Sequence, residues 1–239
     1  MQLAAWYTRP GFLPPDITSS PLLIYQGSQC ICLLRTVWNP LLATIQPCVR
    51  SLKLSNALSL SRFREVIPKL TEVIPRLEGL SAVTSLLLNP RHERLSEHSW
   101  ASLRSNFRML VKLDMLNADF DSFADAVDLI YSFPSLEILV LSGNWNNYLP
   151  PTSYQPHLHT LKLSCPTKDV LEWILSLDPV PIVLTLRLDY ISLSQMPCID
   201  QYLKILGSGL QHLTLYFGPA TSGEATEGSY LIKTLPHSQ

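Results

Sequence analysis

A six-residue phrase constrains this chain more than any other feature. An apolar residue is followed by two variable ones, a second apolar residue, one variable residue and a third apolar one. The phrase occurs at Val49-x-x-Leu52-x-Leu54, Val83-x-x-Leu86-x-Leu88, Leu110-x-x-Leu113-x-Met115 and Leu136-x-x-Leu139-x-Leu141. It returns at Leu158-x-x-Leu161-x-Leu163, Val183-x-x-Leu186-x-Leu188 and Leu210-x-x-Leu213-x-Leu215. Successive copies start 34, 27, 26, 22, 25 and 27 residues apart. One copy would mean nothing in a chain with 45 leucines among 239 residues, but seven at near-even spacing do. Units of this kind cannot bury an apolar face alone, so they must stack.

The geometry of each unit follows from strand alternation. Side chains of a strand point to opposite faces in turn, so the fourth and sixth positions enter a core while the third, fifth and seventh face outward. Returning to a parallel neighbour requires a crossover, usually helical. The period and the phrase are those of leucine-rich repeats. The expected fold is therefore an α/β solenoid, a horseshoe with a parallel sheet on its concave side and helices on its convex side. The array spans 46–217, between an N-terminal segment (1–45) and a C-terminal tail (218–239). The tail is a Gly/Ser/Thr/Glu loop apart from Tyr230-Leu231-Ile232. The last strand is then either an open edge or partly covered by Tyr230 to Leu235.

The intervening segments carry helical spacing. Phe123, Ala126, Val127, Ile130 and Phe133 follow a capping box, Ser122-x-x-Asp125. Val170, Leu171, Ile174 and Leu175 follow Thr167 as N-cap. Ile199, Tyr202, Leu203 and Leu206 are closed by Gly207. Trp100, Leu103, Phe107 and Leu110 make a fourth face. Pro134, Pro156, Pro179 and Pro181 mark joints before strands. The long first interval contains a duplication, Glu65-Val66-Ile67-Pro68-Lys69-Leu70-Thr71 followed by Glu72-Val73-Ile74-Pro75-Arg76-Leu77-Glu78. Seven residues are about two helical turns, so the insertion should lengthen a helix or make a bulge inside one repeat.

Composition narrows the function. Charged residues are 15% of the chain and the formal net charge is −1. A sequence-independent nucleic-acid binder needs clustered Lys and Arg, so no nucleic acid is expected. The apolar run Leu22 to Leu34 is too short and too polar to span a bilayer, and Met1 to Pro15 lacks the layout of a signal peptide. Cys30, Cys32, Cys48, Cys165 and Cys198 are irregularly spaced and read as reduced, buried thiols of an intracellular protein. No Gly-x-Ser-x-Gly, P-loop, dinucleotide fingerprint or His-Glu-x-x-His occurs, so no enzyme and no cofactor is expected. His157-x-His159 lacks a third ligand in register, and Gly207-Ser208-Gly209 follows a helix, whose C-terminus repels anions. No metal site is expected.

Phrases such as Val49-Arg50-Ser51-Leu52-Lys53-Leu54, Phe133-Pro134-Ser135-Leu136-Glu137-Ile138-Leu139-Val140-Leu141 and Leu210-Gln211-His212-Leu213-Thr214-Leu215 resemble the repeat region of F-box proteins, especially the large fungal F-box-like family. The resemblance covers about residues 40 to 217. Leu13-Pro14-Pro15-Asp16-Ile17 is similar to an F-box opening, but the turn-like Thr18-Ser19-Ser20-Pro21 follows it; Leu33 to Ile45 is similar to a later F-box helix or a first linking helix. The N-terminal segment is thus a truncated or degenerate F-box, or a cap. The resemblance implies a non-catalytic substrate-recognition module of an SCF-type ubiquitin ligase, with a protein substrate on the concave face and a Skp-type adaptor where an F-box is retained. The alternative is a leucine-rich repeat scaffold, or a truncated isoform, with no ubiquitin-ligase link. The family's asparagine at the ninth position occurs only as Asn144, so no regular side-chain ladder is expected there.

The repeat register writes out the concave face. The third-position row is Ser51, Ser85, Lys112, Ile138, Thr160, Thr185 and His212. The fifth is Lys53, Leu87, Asp114, Val140, Lys162, Arg187 and Thr214. The seventh is Ser55, Asn89, Leu116, Ser142, Ser164, Asp189 and Tyr216. Leu116, Ile138 and Val140 form an apolar patch, and Lys162 and Arg187 are adjacent like charges relieved by Asp189. A protein-binding surface is expected over Lys112, Asp114, Leu116, Ile138, Val140, Lys162, Arg187, Asp189, His212 and Tyr216, with Trp145, Tyr148 and Tyr190 as further anchors at strand ends.

Overall fold

The computed structural model describes residues 22–25, 46–55, 69–91, 93–147, 156–217 and 230–234. Each repeat phrase forms a strand: β2 (Ser51–Ser55), β3 (Ser85–Asn89), β4 (Lys112–Ser122), β5 (Ile138–Asn147), β6 (Thr160–Leu163), β7 (Thr185–Ile191) and β8 (His212–Phe217). Two further strands flank them, β1 (Leu22–Tyr25) and β9 (Tyr230–Thr234). All nine belong to one sheet in chain order. Neighbours from β1 to β8 are parallel, and β9 closes the series antiparallel to β8. The second of the two expected endings therefore holds, with β8 covered.

Register follows the leucines. Leu52, Leu86, Leu113, Leu139, Leu161, Leu186 and Leu213 stand opposite one another across the sheet. A one-residue slip would turn every leucine of a strand to the other face, so the pattern fixes the alignment. Fourth- and sixth-position residues of β2 to β7 are buried. They share one core with the apolar faces of the helices in the crossovers. These are α1 (Leu70–Val73), α2 (Glu97–Asn106), α3 (Phe123–Tyr131), α4 (Thr167–Ser176) and α5 (Met196–Leu206). None of the buried apolar residues belongs to the third, fifth or seventh rows, which form the opposite, open face. The molecule is thus α/β, a parallel sheet flanked by helices. Among the described residues no helix is long and apolar enough to cross a membrane.

Helix ends match the sequence at two of three places. At α3 the Asp125 amide donates to Ser122 Oγ (3.2 Å) and the Ser122 amide donates to Asp125 Oδ2 (2.8 Å), a complete capping box. Gly207 ends α5 with φ of 49°. Thr167 is not the N-cap of α4. Pro166 holds that position, and Thr167 is the first helical residue, buried, its hydroxyl donating to the Cys165 carbonyl (3.1 Å). Burial explains the difference: the threonine side chain turns inward and is satisfied by the backbone carbonyl two residues back. In the duplicated segment, α1 spans the junction of the two copies, and the second copy continues into a 3-10 turn at Ile74–Arg76, burying Val73, Ile74 and Leu77. The first copy falls mostly outside the described residues. Both copies lie between β2 and β3, which pair directly, so the insertion stays within one repeat.

Two bulges break the regular period. The β4–β5 register shifts between Leu116 and Ala118, and the β7–β8 register between Leu188 and Ile191. The extra residues, Asn117 (φ 51°) and Tyr190 (φ 60°), both stand at the eighth position of their repeats. Each extra residue reverses the alternation beyond it. Ala118, Phe120 and Ile191 consequently turn into the core, and Tyr190 is left 72% exposed. Beyond its bulge β4 runs on beside β5, where Ala118 faces Gly143 and Phe120 faces Trp145. The approach is close: a Cβ on Gly143 would lie 2.4 Å from the Ala118 carbonyl oxygen.

Aromatic side chains fill this widened region. Phe120 stacks on Trp100 with centroids 5.1 Å apart, and Phe123 lies 4.9 Å from Trp145 and 5.9 Å from Trp173. Their polar edges are satisfied, as burial requires. Trp173 Nε1–H donates to Tyr131 Oη (3.0 Å), and Trp145 Nε1–H donates to Asp169 Oδ2 (2.6 Å). Trp145 is therefore not the exposed anchor expected at the strand end. It packs against the core, because alternation along β5 carries it inward after Leu141 and Gly143.

Candidate functional site

The open face is built from the odd rows of β2 to β8, and cross-strand pairing reproduces the expected third- and fifth-position rows residue for residue. Along β5, Ile138 and Val140 are half-buried. They stand opposite Lys112 and Asp114 on β4, and opposite Thr160 and Lys162 on β6. Leu116 faces Ser142, one row along from Val140, so it meets the patch only on the diagonal. On the far side of Asp114 lies Leu87, its partner on β3. The apolar surface thus runs from Leu87 to Val140 with one carboxylate set into it.

That carboxylate is held within its own strand. Lys112 Nζ lies 3.0 Å from Asp114 Oδ2, with the aspartate side chain 15% exposed. Asp114 Oδ1 is buried with no hydrogen-bond partner among the described residues.

A second pair of the same form stands three strands away on β7. Arg187 Nε donates to Asp189 Oδ1 (3.0 Å) and Oδ2 (3.2 Å), and Ser164 Oγ, just past the end of β6, donates to Asp189 Oδ2 (2.6 Å). The Arg187 guanidinium carbon lies 4.7 Å from the centre of the Tyr216 ring, a cation–π distance. The hydrogen bond to Asp189 is the main reason the guanidinium holds its proton more firmly than usual. Lys162 is the cross-strand partner of Arg187, and exposed His212 that of Thr185. The relief of like charge by Asp189 thus reaches Arg187 directly, whereas Lys162 has no ion pair or hydrogen bond among the described residues.

Tyr190 is exposed at its bulge, and Tyr148 and the F-box-like segments Leu13 to Ile17 and Leu33 to Ile45 lie outside the described residues. Ser164 was passed over as a site residue. Its position beside Asp189 in the seventh row was the available signal.

The remaining chemistry-bearing groups are placed apart. His159 Nδ1, just before β6, lies 3.6 Å from Glu137 Oε2, just before β5, both exposed. Among the described residues no three His, Cys, Asp or Glu side chains gather as a metal site. Of the cysteines expected to be buried, Cys48 is exposed and Cys165 and Cys198 are half-buried as residues. Burial of the Cys165 thiol, with Asp169 adding to it, pushes it up to about 12. It stays protonated over the ordinary pH range, and the thiolate is the nucleophilic form. The open face thus carries a half-buried apolar strip on β3 to β5, with one ion pair within β4 and another within β7. No protein-family model, curated protein or solved structure matches this chain.

Proposed function

We propose that the sheet lines the concave side of a leucine-rich repeat horseshoe and that its open face holds a protein ligand without catalysing a reaction. One observation carries this reading: seven parallel strands, paired in register throughout their third and fifth rows, present those rows as one continuous surface with Ile138 and Val140 at its centre. Parallel stacking of repeats generates extended binding surfaces of this kind. The flanking Lys112–Asp114 and Arg187–Asp189 pairs support it, because ordered side chains lose less freedom on binding. By the F-box-like resemblance, the partner is a ubiquitin-ligase substrate inside the cell, and a Skp-type adaptor completes the complex. The alternative is a repeat scaffold with no ligase link.

Ile138→Asp with Val140→Asp tests the face. The double variant should keep the circular dichroism of the parent and lose its co-purifying partners. Unchanged partners on an unchanged fold refute the assignment. Co-expression with a Skp-type adaptor separates the two readings, since only the ligase reading expects a stable complex.

A further inference from the structure

The open face carries an excess of positive charge in one place. Its fifth row has Lys53, Lys162 and Arg187, its third row has Lys112, and Asp114 and Asp189 oppose them. Each aspartate is engaged by the base two residues before it on the same strand. Lys162 is left with neither ion pair nor hydrogen bond among the described residues, and it stands directly beside Arg187.

Arg187 is fixed from two directions. Its Nε is held by both oxygens of Asp189, which Ser164 in turn anchors from just past the end of β6, and its guanidinium lies by the Tyr216 ring. The two terminal nitrogens have no partner among the described residues, and the side chain is 43% exposed. A guanidinium oriented in this way presents parallel N–H donors that suit a planar carboxylate.

We propose that Lys162 and Arg187 together receive a carboxylate side chain of an extended partner segment, with an apolar residue of that segment seated on Ile138 and Val140. This rests on the reading of the open face as a protein-binding surface. Spacing supports it. Strands are about 4.8 Å apart, so the midpoint between β6 and β7 lies about 7 Å from β5. Two side chains on the same side of an extended chain, at i and i+2, are separated by about 6.6 Å. The expected motif is therefore apolar–any–acidic. Charge balance favours a carboxylate over a phosphoryl group: Lys162, Arg187 and Asp189 sum to one positive charge, which a monoanion neutralises in full and a dianion overshoots.

The test uses the full chain and three labelled degenerate peptide pools with fixed Leu-x-Glu, Leu-x-Gln or Leu-x-phosphoserine, read by fluorescence anisotropy. The Glu pool should bind about tenfold more tightly than the Gln pool, a preference suited to charge-assisted hydrogen bonds. Raising the salt to about 0.5 M should erase most of that preference, because exposed charges are then screened. Lys162→Gln and Arg187→Gln should each bring the Glu pool to the Gln level with unchanged melting temperature. Equal binding of the Glu and Gln pools, tightest binding of the phosphoserine pool, binding to none, or indifference to Lys162→Gln overturns the proposal. If the Ile138/Val140 double variant still loses its partners, only the carboxylate assignment has failed; if it keeps them, the binding face itself has failed.

Discussion

Replacing Gly143 by alanine tests how tightly the bulged half of β4 is seated on β5. The added methyl would lie 2.4 Å from the Ala118 carbonyl oxygen and 3.4 Å from its carbon. Carbon–oxygen contacts ordinarily settle at about 3.3 to 3.6 Å, so one strand must retreat by about 1 Å. The obstacle is backbone, not a side chain that can swing aside, and Phe120 two residues on is buried. Overpacking of this kind costs about 1 to 3 kcal/mol. The smaller freedom of alanine in the unfolded chain returns about 0.4 to 1 kcal/mol. A contact this short belongs at the upper end, giving a net loss of about 2 kcal/mol. For a chain of this size that is about 4 to 8 °C in melting temperature. Gly209→Ala is the matched control: its methyl would meet only a side-chain methyl of Ile182 at 3.2 Å, and Ile182 is exposed and free to yield. It should shift the transition by less than about 2 °C, since surface changes fall within about 0.5 kcal/mol. Thermal unfolding by circular dichroism on the two variants decides. A Gly143→Ala transition superimposing on the parent, or equal losses in both, refutes the close seating of β4 on β5.

Two further outcomes follow from the core and its caps. Cys165 ionises at about 12 in the fold against 9.0 ordinarily, so the unfolded chain loses its proton first. The stabilisation is complete below pH 9 and declines by about 1.4 kcal/mol per pH unit as the pH rises toward 12. Tyr202, buried and donating to the Pro181 carbonyl, is also raised and acts in the same direction. Urea unfolding at pH 8 and pH 10.5 should show a smaller alkaline loss in Cys165→Ala than in the parent; equal losses contradict the burial of the thiol. Ser122→Ala removes one half of the α3 capping box and should cost about 1 kcal/mol, measured by the same urea titration, while a neutral effect would mean that Asp125 alone holds the helix start.

The strands were legible because leucine at the fourth and sixth positions leaves only one register that buries them. Correct assignment of Lys162 beside Arg187, or of Asp114 between Leu87 and Val140, follows from that alone. The bulges were not legible. Asn117 and Tyr190 are single extra residues, and a period of 22 to 34 residues absorbs a one-residue insertion without trace. The side-chain ties were beyond reach for a different reason: periodicity gives neighbours but not which neighbour a carboxylate chooses, so Ser164 on Asp189 went unseen. Trp145 was legible and misread. Simple alternation from Leu139 through Leu141 and Gly143 already turned it inward. Leu22–Tyr25 lies outside the repeating phrase, so nothing in the period marked it as a strand.

A stack of parallel strands has an inherent hazard. Its first and last edges are complementary, so one molecule's β8 could receive the β1 of another, and the join would repeat without end. Head-to-tail joins that do not close produce filaments. The reversed direction of β9 removes that complementarity. Its pairing with β8 occupies the last parallel edge, and hydrogen bonds along an antiparallel strand are spaced in alternating narrow and wide pairs rather than evenly. A β1 strand continuing the stack therefore meets β9 and not β8, and could join it only antiparallel. One strand run backwards thus takes the β8 edge out of any parallel head-to-tail join.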